Sequence, residues 1–325
     1  MKKVLVYLFC CVVCLLWTVT VYAQYEVKPP EAEITNGLIH ARIYPPDSIT
    51  GYNRGSRFDW AGVIPDLRYQ GHTFFGKWLD TYNPTGHDAV MGPAEAFDPV
   101  GFDEAKPGEK FIKIGIGALV KPDASAYDFM KPYAIANYGK WKVKAQANQI
   151  LFVQVLNEGN YAYEYQKSLQ LKKGEPVMLI THTLKNTGKK NIQTSVYDHN
   201  FFVIDEKTTG PGSVVIFPFN LQEDISRVED YVKIEGNQLR YIKELNNKYI
   251  SFPDLTHGKG TDYELKIENQ QTGAGVKITG DHPIAKLAFW SSLKTVCPEP
   301  YININIPPGQ EFSWTLTYTY YTIQH

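Results

Sequence analysis

Strict alternation near the C-terminus is the feature that most constrains the fold of this chain. Large apolar residues share one parity there: Phe312, Trp314, Leu316, Tyr318 and Tyr320. Serine and threonine residues fill the positions between them. Successive side chains of a strand point to opposite faces, so this period of two predicts a strand with one buried face.

A second alternating segment lies just before it. Ile302, Ile304 and Ile306 are separated by Asn303 and Asn305. The turn sequence Pro-Pro-Gly-Gln follows at 307–310. Two alternating runs joined by turn residues are typical of a hairpin, and we predict one here.

The middle of the chain repeats the pattern. Alternation predicts strands over 112–120 and 178–184, and shorter strands at 214–217 and 276–278. One segment competes: Leu221, Ile225, Val228 and Val232 are spaced as in a helix, with Gly236 as its stop. Many short strands with close turns nevertheless favour an all-β sandwich or barrel.

The N-terminus reads as a secretory signal peptide over residues 1–23. Lys2 and Lys3 precede an apolar run, and Val21-Tyr22-Ala23 is typical of a cleavage site. The alternative is an uncleaved anchor, but the run is short for a bilayer span. We therefore expect an exported protein, periplasmic or secreted, with no membrane insertion after cleavage.

The remaining chain reads as one unit. No linker, low-complexity tract or repeat divides it, so we predict a short extension at 24–30 and a single domain at 31–325. Three of the four cysteines leave with the signal, and only Cys297 remains. A chain of this size can build a core without disulfides.

Several functional classes find little support. The formal net charge is −1 and no basic stripe is visible, so we expect no nucleic-acid partner. Phosphate loops, nucleophile elbows and zinc-protease spacings are absent from the sequence. We interpret Cys297 as a buried apolar residue rather than a nucleophile.

Histidine–aspartate neighbours occur at His87-Asp88, Asp198-His199 and Asp281-His282. Adjacent residues of a strand face opposite ways, so we do not interpret these pairs as metal ligands. We predict no metal site, while a single bound calcium stays open.

The segment 51–101 differs from the rest. It is rich in glycine, aromatic and charged residues and shows little alternation. Long loops in compact domains are usually functional or disordered. We therefore expect site-forming loops here, with a polar surface connection as the alternative.

Two local clusters could carry chemistry: Tyr197-Asp198-His199-Asn200-Phe201-Phe202 and Cys297-Pro298-Glu299-Pro300-Tyr301, the latter preceded by Trp290. A histidine among aromatics is commonly a core residue. The two prolines fix the backbone around Glu299, which suits a tight turn or a positioned catalytic base.

These clusters resemble the galactose mutarotase, or aldose 1-epimerase, family. That family has a strand ending at an Asn-x-Gly turn, here Asn186-Thr187-Gly188, then a strand leading to His-x-x-Phe, here His199 to Phe202. Near its C-terminus it has a tryptophan and a Cys-x-Glu-Pro-like segment, here Trp290 and Cys297 to Pro300. The match covers the C-terminal half. In the N-terminal half, Arg57 and the loop from His87 to Glu95 correspond only by position.

The resemblance implies a large, antiparallel, twisted β-sandwich and an isomerase that interconverts sugar anomers by acid/base ring opening. It implies Glu299 as general base and His199 as general acid. Arg57, His87, Glu95 and Trp290 would bind the mono- or oligosaccharide substrate, and no metal or organic cofactor would be needed.

Two other functions stay open. One is a carbohydrate-binding protein without catalysis on the same scaffold. The other is a lyase or hydrolase acting on a glycan, because exported proteins meet polymers.

Overall fold

The computed structural model describes residues 28–324. The predicted signal peptide, and residues 24–27 of the predicted extension, lie outside this range. In chain order the strands are β1 (Ala32–Thr35), β2 (Ile39–Tyr44), β3 (Val63–Tyr69), β4 (His72–Thr73), β5 (Gly92–Phe97), β6 (Lys110–Lys113), β7 (Gly117–Val120), β8 (Ile135–Asn137), β9 (Lys140–Gln146), β10 (Gln149–Glu158), β11 (Tyr161–Leu171), β12 (Val177–Asn186), β13 (Ile192–Phe201), β14 (Ser213–Ile216), β15 (Val232–Glu235), β16 (Gln238–Tyr241), β17 (Ile250–Phe252), β18 (Glu264–Asn269), β19 (Ala274–Gly280), β20 (Lys286–Ser292), β21 (Thr295–Ile306) and β22 (Glu311–Thr322).

Two large antiparallel sheets face each other. The ten-stranded sheet has the order β15-β16-β14-β18-β19-β22-β12-β11-β10-β9, and the five-stranded sheet has the order β17-β20-β21-β13-β5. Smaller sheets of four strands (β1-β2-β3-β4) and three strands (β6-β7-β8) complete the molecule. The predicted all-β class is confirmed.

The core lies between the two large sheets. Trp314, Leu316 and Tyr318 of β22 are buried, as their alternation predicts. The Tyr318 hydroxyl crosses to the five-stranded sheet and donates to Asn200 Oδ1 at 2.7 Å. Full burial stabilises each large apolar side chain by about 1.5–3 kcal/mol relative to exposure. These buried side chains of β22 therefore hold the ten-stranded sheet against the five-stranded one.

The predicted hairpin is wrong. β21 and β22 belong to different sheets, because β21 pairs with β13 and β20 whereas β22 pairs with β12 and β19. The turn 307–310 carries the chain across the core instead. Asn186 holds this crossover: its side-chain amide donates to Ile306 O at 2.8 Å, and its backbone amide donates to Gln310 O at 2.9 Å. Alternation reports a buried face but does not identify the partner strand.

Two further expectations are corrected. The segment 112–120 is interrupted by a turn between β6 and β7, where Gly115 has a φ of +78° and a Cβ would lie 2.5 Å from Asp59 Oδ1. The predicted helix from Leu221 to Val232 is absent: separate turns lead to β15, which begins at Val232. The only helical element among residues 28–324 is a 3₁₀ turn at Ile204–Glu206. Leu221 and Val232 are buried as core residues of the sheets, so helical spacing arose without a helix.

Candidate active site

His199 and Glu299 meet on the outer face of the five-stranded sheet. β13 pairs with β21 up to Tyr197 opposite Tyr301, and each catalytic candidate lies two residues further along its strand. Pro298 has no amide hydrogen to give the ladder, and the Asn200 side chain supplies a donor to Pro298 O at 3.1 Å. The structure therefore places the two candidates side by side, as the family resemblance implies.

The pair is close and largely desolvated. His199 Nε2 lies 3.3 Å from Glu299 Oε1, and the two side chains are 4% and 11% exposed. Burial raises the pKa of Glu299 to about 7, although the positive charge of Arg57 acts in the opposite direction. Burial, reinforced by Arg57, lowers the pKa of His199 well below its usual value. At neutral pH His199 is therefore neutral, and Glu299 is partly protonated.

Arg57 is held rigidly beside the pair. Its Nη1 donates to Asp88 Oδ1 at 2.9 Å, and its Nε and Nη2 each donate to the Tyr197 hydroxyl at 3.2 Å. The guanidinium also lies 4.4 Å from the ring centre of Phe58 and 4.3 Å from that of Phe129. Such stacking between aromatic rings suits a planar guanidinium. Arg57 is thus a fixed positive charge in the site.

His87 joins the site through Asp88. The two side chains are in contact, with His87 Nε2 2.6 Å from Asp88 Oδ2. The expectation that neighbouring His and Asp face apart is wrong here, because the rule applies to strands and this pair lies in a loop. Asp88 therefore links His87 to Arg57.

Aromatic rings form a wall on the other side. The His199 ring stacks on Phe201 at 4.0 Å between centres, and Trp290 lies 6.2 Å from His199. Trp78 contacts both Phe201 and Trp290. Trp290 is only partly buried, so it presents apolar surface toward the site.

A cavity of ≈ 240 Å³ opens beside this arrangement. Its lining includes Tyr52, Trp78, Tyr82, His87 and Asp88. Among residues 28–324 the lining does not include His199 or Glu299. Two lining residues contact neighbours of the pair: Asp88 accepts from Arg57, and Trp78 packs against Phe201 and Trp290.

Glu95 lies apart from the other predicted site residues. It pairs in register with Asp198, which faces the interior, whereas Ala94 is opposite His199. Glu95 Oε1 is 2.7 Å from His182 Nε2, and its other oxygen contacts Lys167 Nζ. Burial alone would raise the pKa of Glu95, but Lys167 and His182 outweigh it and lower the pKa to about 2. The structure therefore brings together His199, Glu299, Arg57, His87 and Trp290, and leaves Glu95 in the core.

The remaining sequence-based expectations concern the free cysteine, metal sites and membrane-spanning segments. Cys297 is a buried free thiol, as expected. No cluster of three or more His, Cys, Asp or Glu side chains suited to a metal ion occurs in the described part of the chain. None of the helices within 28–324 has the length and apolar character needed to cross a membrane.

The sequence matches no family model and no curated protein. The structure, however, resembles solved structures over most of its length. A protein proposed to be an aldose 1-epimerase, from Escherichia coli K12, superposes with a TM-score of 0.55 at 12% identity, covering 90% of this chain and 99% of that one. A galactose mutarotase-like protein from Clostridium acetobutylicum gives 0.54 at 14% identity, covering 90% and 95%. One from Lactobacillus casei gives 0.54 at 13% identity, covering 90% and 100%.

The chain has the galactose mutarotase-like fold. This confirms the β-sandwich that the resemblance implied. At such identities the likeness concerns the fold, and the galactose mutarotase-like scaffold leaves the reaction to be argued from the site.

Sequence reasoning missed three site residues. Asp88, Tyr197 and Phe129 all contact Arg57. Tyr197 belongs to the aromatic cluster 197–202, and Asp88 to a His–Asp pair that the sequence analysis does not interpret as metal ligands. Phe129 lies in the loop between β7 and β8, where neither alternation nor a motif marks it as a site residue.

Proposed function

We propose that this protein is an aldose 1-epimerase-like isomerase that interconverts the anomers of a sugar. The observation that carries the proposal is the contact of 3.3 Å between His199 and Glu299 on the outer face of the sheet, with Arg57 and Trp290 beside it. The fold is compatible with this function, and the names of similar structures point to the same chemistry.

The reaction needs one base and one acid at the same time. Ring opening removes a proton from the anomeric hydroxyl and delivers one to the ring oxygen. After rotation about the bond to C1, closure on the other face of the aldehyde reverses both transfers. A pair that holds one proton in total can do this and return to its starting state.

Glu299 and His199 meet that requirement. With the pKa of Glu299 about 7 and the pKa of His199 well below its usual value, the pair holds one proton between these two limits. We assign Glu299 to the anomeric oxygen and His199 to the ring oxygen. The proton held by Glu299 would first pass to His199 across the 3.3 Å contact, so that Glu299 acts as the carboxylate base and His199 as the imidazolium acid. A positioned acid or base contributes roughly a hundred- to ten-thousand-fold to such a step.

Arg57, Asp88, His87 and Trp290 would hold the substrate. Arg57 retains guanidinium hydrogens beyond those used for Asp88 and Tyr197, since it has five donors. His87 and Asp88 lie at the cavity beside the pair and offer groups for sugar hydroxyls. Trp290 offers an apolar face for the sugar ring.

Anomer exchange on a panel of aldoses, followed by NMR, tests the proposal. We expect the native protein to accelerate exchange, and Glu299→Gln and His199→Asn each to lose at least a hundredfold while keeping the native melting temperature within a few degrees. The surface pair His257 and Glu223, 3.0 Å apart, supplies matched controls: Glu223→Gln and His257→Asn should retain full activity.

Other outcomes would support the alternatives. Sugars that bind without faster exchange would favour a non-catalytic carbohydrate-binding protein. Release of new reducing or unsaturated ends from a glycan would favour a hydrolase or lyase. Full activity in Glu299→Gln would contradict the assigned base.

We also propose that the protein is exported, on the basis of residues 1–23 alone. Expression of the full chain in a bacterium should give a mature form beginning near Gln24 outside the cytoplasm, detected by fractionation and N-terminal sequencing. An uncut form in the cytoplasm would contradict export.

A further inference from the structure

The outer face of the five-stranded sheet opens progressively away from the His199–Glu299 pair. Along β21, Cys297 and Glu299 are buried, Tyr301 is partly exposed, and Asn303 and Asn305 are exposed. Along β13 the same progression runs from buried His199 to exposed Gln193. The pair therefore lies at the closed end of a surface that is open at the other end.

A broad groove of ≈ 860 Å³ occupies the open end. Its floor includes Gln193, Ser195, Asn303 and Asn305, and Tyr161 lies among its lining residues. Alternate residues of a strand are spaced about 6.6 Å apart, so Asn303 lies about 13 Å and Asn305 about 20 Å from Glu299 along the strand. That length accommodates several sugar rings in a line.

The chemistry of the groove suits a neutral, hydroxyl-rich ligand. Within residues 28–324, the side-chain amides of Gln193 and Asn303 have no hydrogen-bonding partner, although both line the groove. Primary amides both donate and accept, which matches sugar hydroxyls.

The charged residues that line the groove also indicate which class of ligand it would bind. Asp98, Asp103 and Glu104 line the groove, against a single cation, Lys190, which is paired with Glu104. This excess of carboxylates disfavours phosphate, sulfate and uronic acid groups by like-charge repulsion.

We propose that this groove is an oligosaccharide-binding extension of the site, so that the substrate is a neutral glycan chain whose reducing end reaches His199 and Glu299. The inference rests on the proposed function for the placement of the reducing end. The hydrogen-bonding groups at Gln193 and Asn303 would hold sugar units further from that end, with the Tyr161 ring as an apolar surface at the rim.

The test measures binding against chain length. Ladders of one to six units of neutral gluco-, galacto-, manno- and xylo-oligosaccharides are titrated by NMR against Glu299→Gln, which prevents turnover. We expect affinity to rise with length in at least one ladder, up to about four units. Adding Gln193→Ala and Asn303→Ala should lower the ratio of tetrasaccharide to monosaccharide affinity about tenfold or more.

A matched control changes an exposed amide elsewhere. Gln146→Ala, on edge strand β9 of the other large sheet, should leave that ratio unchanged. Thermal melts of each variant establish that its fold is intact.

The two proposals fail differently. If monosaccharide anomers exchange faster but no ladder shows length-dependent affinity, or if the dependence survives both alanine substitutions, the groove proposal is wrong and the proposed function stands. If a ladder binds across the groove and no sugar exchanges faster, the groove proposal stands without the isomerase. If neither effect is seen, both are wrong.

Discussion

Two histidine–glutamate pairs lie on opposite sides of the five-stranded sheet, and their surroundings differ sharply. His199 and Glu299 lie on the outer face, whereas His182 and Glu95 lie between the two large sheets. Glu95 has a cation in direct contact, Lys167. Glu299 has no such contact among the described residues, and its pKa is raised by burial rather than lowered.

The inner pair is a closed charge cluster. Lys167 also lies 3.5 Å from Asp59 and donates to Ala61 O, and all three charged groups are buried. Burial raises the pKa of Asp59 to about 7, whereas Lys167 and His182 keep Glu95 ionised, so Glu95 is the principal counter-charge of Lys167 at neutral pH. A His–Glu contact therefore indicates chemistry only where a substrate can reach it and no cation neutralises the carboxylate.

The largest expected effect comes from removing the inner cation. Lys167→Met leaves Glu95 buried without its partner, and we expect a loss of about 3–5 kcal/mol in the free energy of unfolding, measured with urea. Lys190→Met, which breaks an exposed pair with Glu104, should cost no more than about 1 kcal/mol.

If Lys167→Met does not fold, the double variant Lys167→Met/Glu95→Gln tests whether the unpaired Glu95 carboxylate is the cause. It removes both charges and should recover most of the lost stability. A single variant as stable as the native protein would contradict the assignment of Glu95 as a buried carboxylate that Lys167 stabilises.

Stability should depend on pH in opposite directions at the two glutamates. The pKa of Glu299 is about 7 in the native state and near 4.5 when unfolded, so the native state binds more protons between these values. Glu299 therefore lowers stability as pH rises from 4.5 to 7, by on the order of 3 kcal/mol. The stability difference between Glu299→Gln and the native protein should grow by this amount over that range.

Glu95 should behave in the reverse sense. Its native pKa is about 2, so its stabilising effect is present above pH 4.5 and is lost as pH falls toward 2. The advantage of the native protein over Glu95→Gln should shrink over that lower range in denaturant titrations. Parallel curves for both variants would contradict the assigned environments.

Only the outer pair should appear in the pH profile of activity. The pair loses its shared proton above the pKa of Glu299, so kcat/KM for anomer exchange should fall about tenfold per pH unit above pH 7. A rate that rises through pH 7 would show that Glu299 works only as a carboxylate, with the acid elsewhere.

The smallest expected effects come from removing either of two tyrosine hydroxyls, one on each face of the five-stranded sheet. Tyr318→Phe removes the hydroxyl that contacts both Asn200 and Asp198 in the core and should cost on the order of 1 kcal/mol in stability with KM unchanged. Tyr197→Phe removes the partner of Arg57 on the outer face and should raise KM several-fold. Steady-state kinetics and thermal melts on both variants separate these effects. If both variants change stability and KM alike, the proposed difference between the inner and outer faces of the sheet is wrong.

The sequence predicted elements better than it predicted partners. Alternation located β12, β21 and β22 and their buried residues, because the period depends only on which face is covered. It could not show that β21 and β22 join different sheets, since that depends on contacts between residues distant in sequence.

For the site, too, local sequence patterns were informative and contacts between distant residues were not. His199 and Glu299 came from local motifs that resemble a family, and the structure brings them together. Glu95 was misplaced because its loop was judged as one unit, whereas the loop ends in β5, where neighbouring residues face opposite sides of the sheet. Asp88 shows the converse, because a turn lets adjacent side chains meet.

The crossover at 307–310 also sets the order in which the molecule can be assembled. It delivers β22 to the middle of the ten-stranded sheet, between β19 and β12, so that one late segment joins two earlier halves. Until that segment pairs, one edge each of β12 and β19 has no partner strand and the opposing core is uncovered. Pairings between distant segments are slow to form, and exposed edges invite association with other chains. Completion of the sandwich therefore waits for a pairing between segments that are distant in the sequence.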